Sequence, residues 1–181
     1  MDSEKGLVII YTGEGKGKTT AALGLVLRAV GYKKKCLIVQ FGKAWFTGEL
    51  VGIKKLSPLV KIIQGGKGFL NVKNFALKSN PGRKVHKRAA KEAFDLLYNE
   101  VMSDKWDVVV ADEIVGAISS KVLSYAKTLQ LINNKPQKLD LVLTGHYAPK
   151  RLINMADLVT EMKEIKHPFQ KGIMAKKGID F

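Results

Sequence analysis

Cysteine is almost missing from this 181-residue chain: Cys36 stands alone, which excludes a disulfide framework and any all-cysteine metal site. Arginine is confined to Arg28, Arg83, Arg88 and Arg151, too few for the forked base-edge contacts of sequence-specific DNA binding. Aromatics amount to 8%, and in the most basic stretch only Phe69 and Phe75 are available for stacking, so a single-stranded nucleic-acid platform is also disfavoured. No apolar run approaches the ~20 residues that cross a bilayer. The opening Met1-Asp2-Ser3-Glu4-Lys5-Gly6 has no signal-peptide character. These absences lead to the expectation of a cytoplasmic protein, with no membrane and no nucleic-acid partner, folded as a single domain over residues 1–181.

Positive charge is what the chain has in excess. Lysine and arginine number 31 against 16 acidic residues, a formal charge of +15. Between Glu49 and Glu92 there is no acid at all, yet Lys54, Lys55, Lys61, Lys67, Lys73, Lys78, Arg83, Lys84, Lys87, Arg88 and Lys91 all fall there. Such a stretch is either a solvated basic face or a surface turned towards a polyanion. Apolar residues make up 46%, enough for a sizeable core.

The apolar runs alternate with helical patterns. Leu7–Tyr11, Cys36–Gln40, Asp107–Ala111 and Leu139–Thr144 read as buried parallel strands, with Val60–Ile63 a shorter run and Leu158-Val159 a further candidate. Helices are expected from Lys18 to Gly31, from Arg83 to Met102, from Val122 to Asn133 and in a short turn opened by Pro149. The glycine-rich segment from Gln64 to Asn80 has no period and reads as a long loop of the kind that often carries function. Alternation without repeats or linkers gives a doubly wound α/β sheet.

Directly after the first strand comes Thr12-Gly13-Glu14-Gly15-Lys16-Gly17-Lys18-Thr19-Thr20, running into the first helix. Glycines let the chain curl so that several N–H groups face one anion, and the helix N-terminus adds partial positive charge. Lys18 can reach phosphates and the Thr19 hydroxyl can bind Mg²⁺ or Mn²⁺. The first glycine stands one step later than in the usual phosphate loop, so this is a shortened variant. A second element, Val108-Val109-Val110-Ala111-Asp112-Glu113, ends an apolar strand in two carboxylates. It either caps a following helix or delivers a metal-binding acid beside the phosphates.

Together these residues resemble the P-loop ATP:corrinoid adenosyltransferases. The shortened loop Gly13–Thr20 is similar to theirs, as are Gln40-Phe41-Gly42-Lys43 with Gly48-Glu49, and Gly68-Phe69. The C-terminal part is more specific: Leu143-Thr144-Gly145, Ala148-Pro149, Ala156–Met162, Lys166-His167-Pro168-Phe169, Gly172-Ile173 and Gly178-Ile179-Asp180-Phe181 follow the family's order. The resemblance implies a P-loop NTPase-like, RecA-like fold: a mostly parallel sheet with helices on both faces. It also implies transfer of the 5′-deoxyadenosyl group of ATP to a Co(I) corrinoid with release of triphosphate.

By the same resemblance ATP is contacted by Gly13, Glu14, Gly15, Lys16, Gly17, Lys18, Thr19 and Thr20. A divalent metal would be held by Thr19, Asp112 and Glu113. Lys18, Glu113 and Phe69 are the candidate catalytic residues, and Phe69, Lys43 and Trp45 the candidate corrinoid contacts. A flavoprotein reductant and a homodimer complete the expectation.

The family's usual tryptophan, asparagine and arginine are replaced at Asn71, Val115 and His146. His146 has two readings, a simple replacement or a sensor of phosphate charge. Trp45 and Phe69 each have an alternative in ordinary packing. His86, among lysines, is expected to be solvated, His167 to be packed or on the surface, and Cys36 to be a small buried apolar residue. Two other functions compete. A kinase or ATPase needs arginines at the γ-phosphate, which this chain barely has; a non-catalytic carrier would bind ATP or corrinoid without turnover.

Overall fold

In this computed structural model, residues 5–66 and 82–181 are described. Six strands, β1 (Val8–Thr12), β2 (Cys36–Phe41), β3 (Val60–Gly65), β4 (Val108–Asp112), β5 (Asp140–Thr144) and β6 (Leu158–Glu161), form one sheet in the order β3-β2-β4-β5-β1-β6. Every pairing is parallel. The helices are α1 (Lys18–Gly31), α2 (Glu49–Lys54), α3 (Arg83–Val101), α4 (Ile114–Ser119), α5 (Tyr125–Asn134) and α6 (Lys150–Met155). Among the described residues no helix is long and apolar enough to cross a membrane.

Strands β1, β2, β4 and β5 are apolar on both sides because both their faces are covered, whereas the edge strand β6 is largely exposed. Val8, Ile10, Leu37, Val39, Val109, Ala111, Leu141 and Leu143 point to the face packed by α3, α4, α5 and Leu152 of α6. Ile9, Ile38, Val108, Val110 and Val142 point the other way, onto Ala22, Val26 and Ala29 of α1 and Ile53 of α2. Burying each such side chain is worth about 1.5–3 kcal/mol, so the two-sided sheet dominates the stability. The expected doubly wound α/β architecture is therefore present, with the sheet wholly parallel. Cys36 is fully buried as a small apolar residue.

Three local features differ from the sequence pattern. The short helices α2 and α4 have no signal in it, since Glu-Leu-Val-Gly-Ile-Lys and Ile-Val-Gly-Ala-Ile-Ser mix glycine with β-branched residues and have low intrinsic helicity. Burial of Ile53, and of Ile114, Val115 and Ile118, overrides propensity. Helix α5 begins at Tyr125 instead of Val122 because the Ser124 side chain accepts the Lys127 N–H as an N-cap. His86 is not solvated among its lysines: it lies on the inner face of α3 and is buried.

Candidate active site

The phosphate loop leaves the C-terminal end of β1, between β5 and the edge strand β6, and enters α1. Gly13 and Gly17 have φ of 100° and 111°, left-handed values that a side chain would resist. Gly15 is pressed against the chain after β6: its N–H donates to the Met162 carbonyl at 2.7 Å, and a Cβ there would lie 2.7 Å from the Lys163 carbonyl carbon. Lys18, the first residue of α1, is buried. Its Nζ donates to the carbonyls of Gly13 at 2.8 Å and Gly15 at 2.7 Å and lies 3.5 Å from His146 Nε2. Burial lowers its pKa, while the carboxylates of Glu113 and Asp112 pull the other way.

The neighbouring strands end in polar residues at the same level. Gln40 is registered between Gln64 of β3 and Asp112 of β4. Asp112 is fully engaged. One carboxylate oxygen accepts the hydroxyls of Thr19 at 2.8 Å and Thr144 at 2.7 Å. The other accepts Gln40 Nε2 at 3.1 Å and pairs with Lys43 Nζ at 3.2 Å. Lys43 also pairs with Glu49 at 3.1 Å, and this ammonium is held above its ordinary pKa: burial opposes its charge, but Asp112 and Glu49 prevail. Burial also works against ionisation of Glu49, yet its hydrogen bonds and Lys43 hold that carboxyl below the usual range.

Glu113 departs from this pattern. Its φ of 63° is left-handed, fixed by its N–H donating to Thr144 Oγ1 at 2.9 Å. Gly116 makes room for its side chain: a Cβ there would lie 2.7 Å from Glu113 Oε2. Burial and the neighbouring Asp112 push the Glu113 carboxyl up, with Lys18 and Lys43 opposing. His146 is held below its ordinary value by burial and by Lys18.

A cleft of about 650 Å³ opens over these groups, within the range of small-molecule sites. Of the residues expected from the sequence, Glu14, Gly15, Lys16, Gly17, Lys18, Thr19, Thr20, Lys43, Trp45 and Glu113 line it. Gly13 shapes the loop from behind, and Asp112 lies beneath, holding Thr19. Phe69 lies outside the described residues. Sequence reasoning gives no role to Gln40 and Thr144, although each is a polar residue closing an apolar strand, the same signal that singles out Asp112. It also passes over the contribution of the chain's last segment, since Glu164, His167 and residues 178–181 form the opposite wall of the cleft.

A family model described as ATP:corrinoid adenosyltransferase BtuR/CobO/CobP matches residues 4–181. The chain belongs to the ATP:corrinoid adenosyltransferase family. It is 35% identical over 181 residues to a corrinoid adenosyltransferase from Sinorhizobium sp, covering 98% of this chain and 81% of that protein. A corrinoid adenosyltransferase from Escherichia coli strain K12 is 30% identical over 179 residues, covering 98% and 87%. The corrinoid adenosyltransferase CobA of Salmonella typhimurium is 29% identical over the same length, with the same coverage. Among solved structures, the KaiC-like protein PH0186 from Pyrococcus horikoshii OT3 superposes with a TM-score of 0.57 over 90% of this chain and 75% of its own. At 15% identity that likeness concerns the fold alone. The chain is thus an adenosyltransferase acting on ATP and a corrinoid, on a P-loop scaffold.

Proposed function

We propose that the cleft binds ATP with its triphosphate in the loop Gly13–Thr20 and presents C5′ to a Co(I) corrinoid. The cobalt attacks C5′, the C5′–O bond breaks, and the bonding pair leaves on triphosphate. No protein nucleophile or general base is required, which suits a site whose cleft residues include no Ser-His or Cys-His pair. Catalysis then rests on the leaving group. Lys18 turns from the Gly13 and Gly15 carbonyls to the phosphates, and Lys16 and the loop N–H groups offset the charge that develops there. The observation that carries this reading is Lys18 and Thr19 at the mouth of a left-handed glycine loop, with Asp112 fixing Thr19.

The donor set fits Mg²⁺ or Mn²⁺ bound together with the nucleotide. Thr19 and Glu113 offer hard oxygens, backed by Asp112, while the described residues contain no group of three or more His, Cys, Asp or Glu able to cage an ion alone. A metal held by Thr19 and Glu113 would neutralise part of the triphosphate charge. Lys43 serves the acids instead of the corrinoid in this arrangement, since both its partners are carboxylates. Trp45, on the cleft rim, and Phe69 remain the proposed corrinoid contacts; Phe69 would exclude the lower axial ligand of the cobalt.

The acid-free cationic stretch supports an anionic corrinoid, one with free carboxylates or a phosphate. It equally suits an acidic flavoprotein as source of the electron that makes Co(I). A homodimer in the cytoplasm completes the reading. Anaerobic incubation with Co(I) corrinoid and ATP should yield adenosylated corrinoid and tripolyphosphate in equal amounts. Formation of ADP and phosphate instead would overturn it.

A further inference from the structure

The segment 176–181 lies over the phosphate loop and holds one of its cations. Lys16 Nζ donates to the Ile179 carbonyl at 2.8 Å and forms an ion pair with Asp180. Asp180 also accepts the Lys176 N–H at 2.6 Å, closing a turn in which the Gly178 N–H donates to the Phe181 carbonyl at 2.8 Å. These contacts with Lys16 and the Lys176 amide hold the Asp180 carboxyl below its usual range. Burial adds little to anchor the turn, because every residue from 170 to 181 is solvent-exposed. Ile179, Asp180 and Phe181 nevertheless line the same cleft as Lys16 and Lys18.

A carboxylate thus stands on a lysine of the phosphate cradle. The loop's other lysine, Lys18, rests on neutral carbonyls; Lys16 rests on a full negative charge. An incoming triphosphate must displace that charge to engage Lys16, and a departing one leaves Lys16 to it. We propose that Asp180 is the competing anion of the cradle. It holds Lys16 until the triphosphate of ATP takes its place, and recaptures it so that the product tripolyphosphate is released. Asp180 is a positioning residue acting through Lys16. The inference rests on the phosphate-loop assignment made above and adds the group that limits how tightly the loop holds its anion.

The test is titration of the full chain with inorganic tripolyphosphate, by calorimetry for affinity and by stopped flow for dissociation. Asp180→Asn keeps the shape and the acceptor for the Lys176 N–H but removes the charge. Exposed ion pairs are weak, so Asp180→Asn should bind tripolyphosphate about twofold to fivefold more tightly and release it correspondingly more slowly. In a Lys16→Met background the same substitution should change neither quantity. During turnover, inhibition by added tripolyphosphate should set in at a lower concentration in Asp180→Asn.

An unchanged or weaker affinity in Asp180→Asn would overturn the proposal. So would a tightening that persists without Lys16, since that would be a general effect of charge. If the unsubstituted protein binds no tripolyphosphate, the loop assignment falls as well, which separates that failure from a failure of Asp180 alone.

Discussion

Lys18→Ala probes the partner exchange proposed for ATP binding. The Lys18 ammonium donates to two loop carbonyls, and in the proposed ATP complex it trades these for phosphate oxygens. A hydrogen bond with a charged group is worth about 1.5–3 kcal/mol, and a charge on both partners places it at the upper end of that range. Exchanging two bonds of about 1.5 kcal/mol for two of about 3 gives a net of about 3 kcal/mol, a loss of roughly 150-fold in ATP affinity when the amine is removed. The fold should tolerate the change. The freed Gly15 carbonyl borders an open cleft that water can enter, and a buried ammonium is costly in itself. Stability should therefore fall by no more than about 2 kcal/mol. Calorimetric titration with ATP in the absence of corrinoid isolates binding from chemistry, and thermal unfolding verifies the fold. A folded Lys18→Ala variant that binds ATP within about threefold of the parent, a difference of under about 1 kcal/mol, would refute the exchange and the loop assignment with it.

Other outcomes follow from the same geometry. Gly145→Ala places a Cβ 2.5 Å from the Gly116 amide nitrogen at a φ of 138°, so stability should drop by about 3 kcal/mol, roughly 6–12 °C in Tm; an unchanged melting curve would contradict the contact. Glu113 is raised above its ordinary 4.5, so the folded chain holds this proton more tightly than the unfolded one. The stability it contributes is complete below 4.5 and is lost as pH rises through the raised value. Glu113→Gln should therefore increase Tm relative to the parent more at about pH 8 than at about pH 4, and a pH-independent difference would tell against buried strain at this carboxylate. Corrinoids bearing free carboxylates should react faster than fully amidated ones at low salt, with the gap closing as salt rises; equal rates throughout would leave the basic stretch as a solvated face.

Much of this architecture is legible in the sequence because parallel strands buried on both faces leave unbroken apolar runs. Leu7–Tyr11 and Asp107–Ala111 lie within a residue of β1 and β4 for that reason. The phosphate loop is legible because glycine and lysine at that spacing have few other uses. What escapes reading depends on tertiary context. Helices α2 and α4 exist through burial of Ile53, Ile114 and Val115, not through local preference. His86 looks solvated by its lysine neighbours in sequence, yet helical periodicity turns it inwards with Ala89, Ala90 and Ala93. The wall formed by Glu164, His167 and residues 178–181 reaches the loop only after nearly the whole length of the chain has intervened, a contact that no local pattern encodes.

The electrostatics of the cleft form one connected system. Three lysines that line it already have acceptors within the protein: Lys16 has Asp180 and the Ile179 carbonyl, Lys18 has the Gly13 and Gly15 carbonyls, and Lys43 has Asp112 and Glu49. These three ammonium groups are thus paired within the protein, and under the proposed assignment binding a nucleotide exchanges the partners of Lys16 and Lys18. Lys43 differs in kind, because its partners are a buried and a half-buried carboxylate whose mutual repulsion it relieves. Removing it would leave Asp112 and Glu49 uncompensated, and the consequence would be lost positioning of Thr19 through Asp112. These cations thus fall into two kinds, a pair proposed to change partner with the reaction and a single one that holds the acids still.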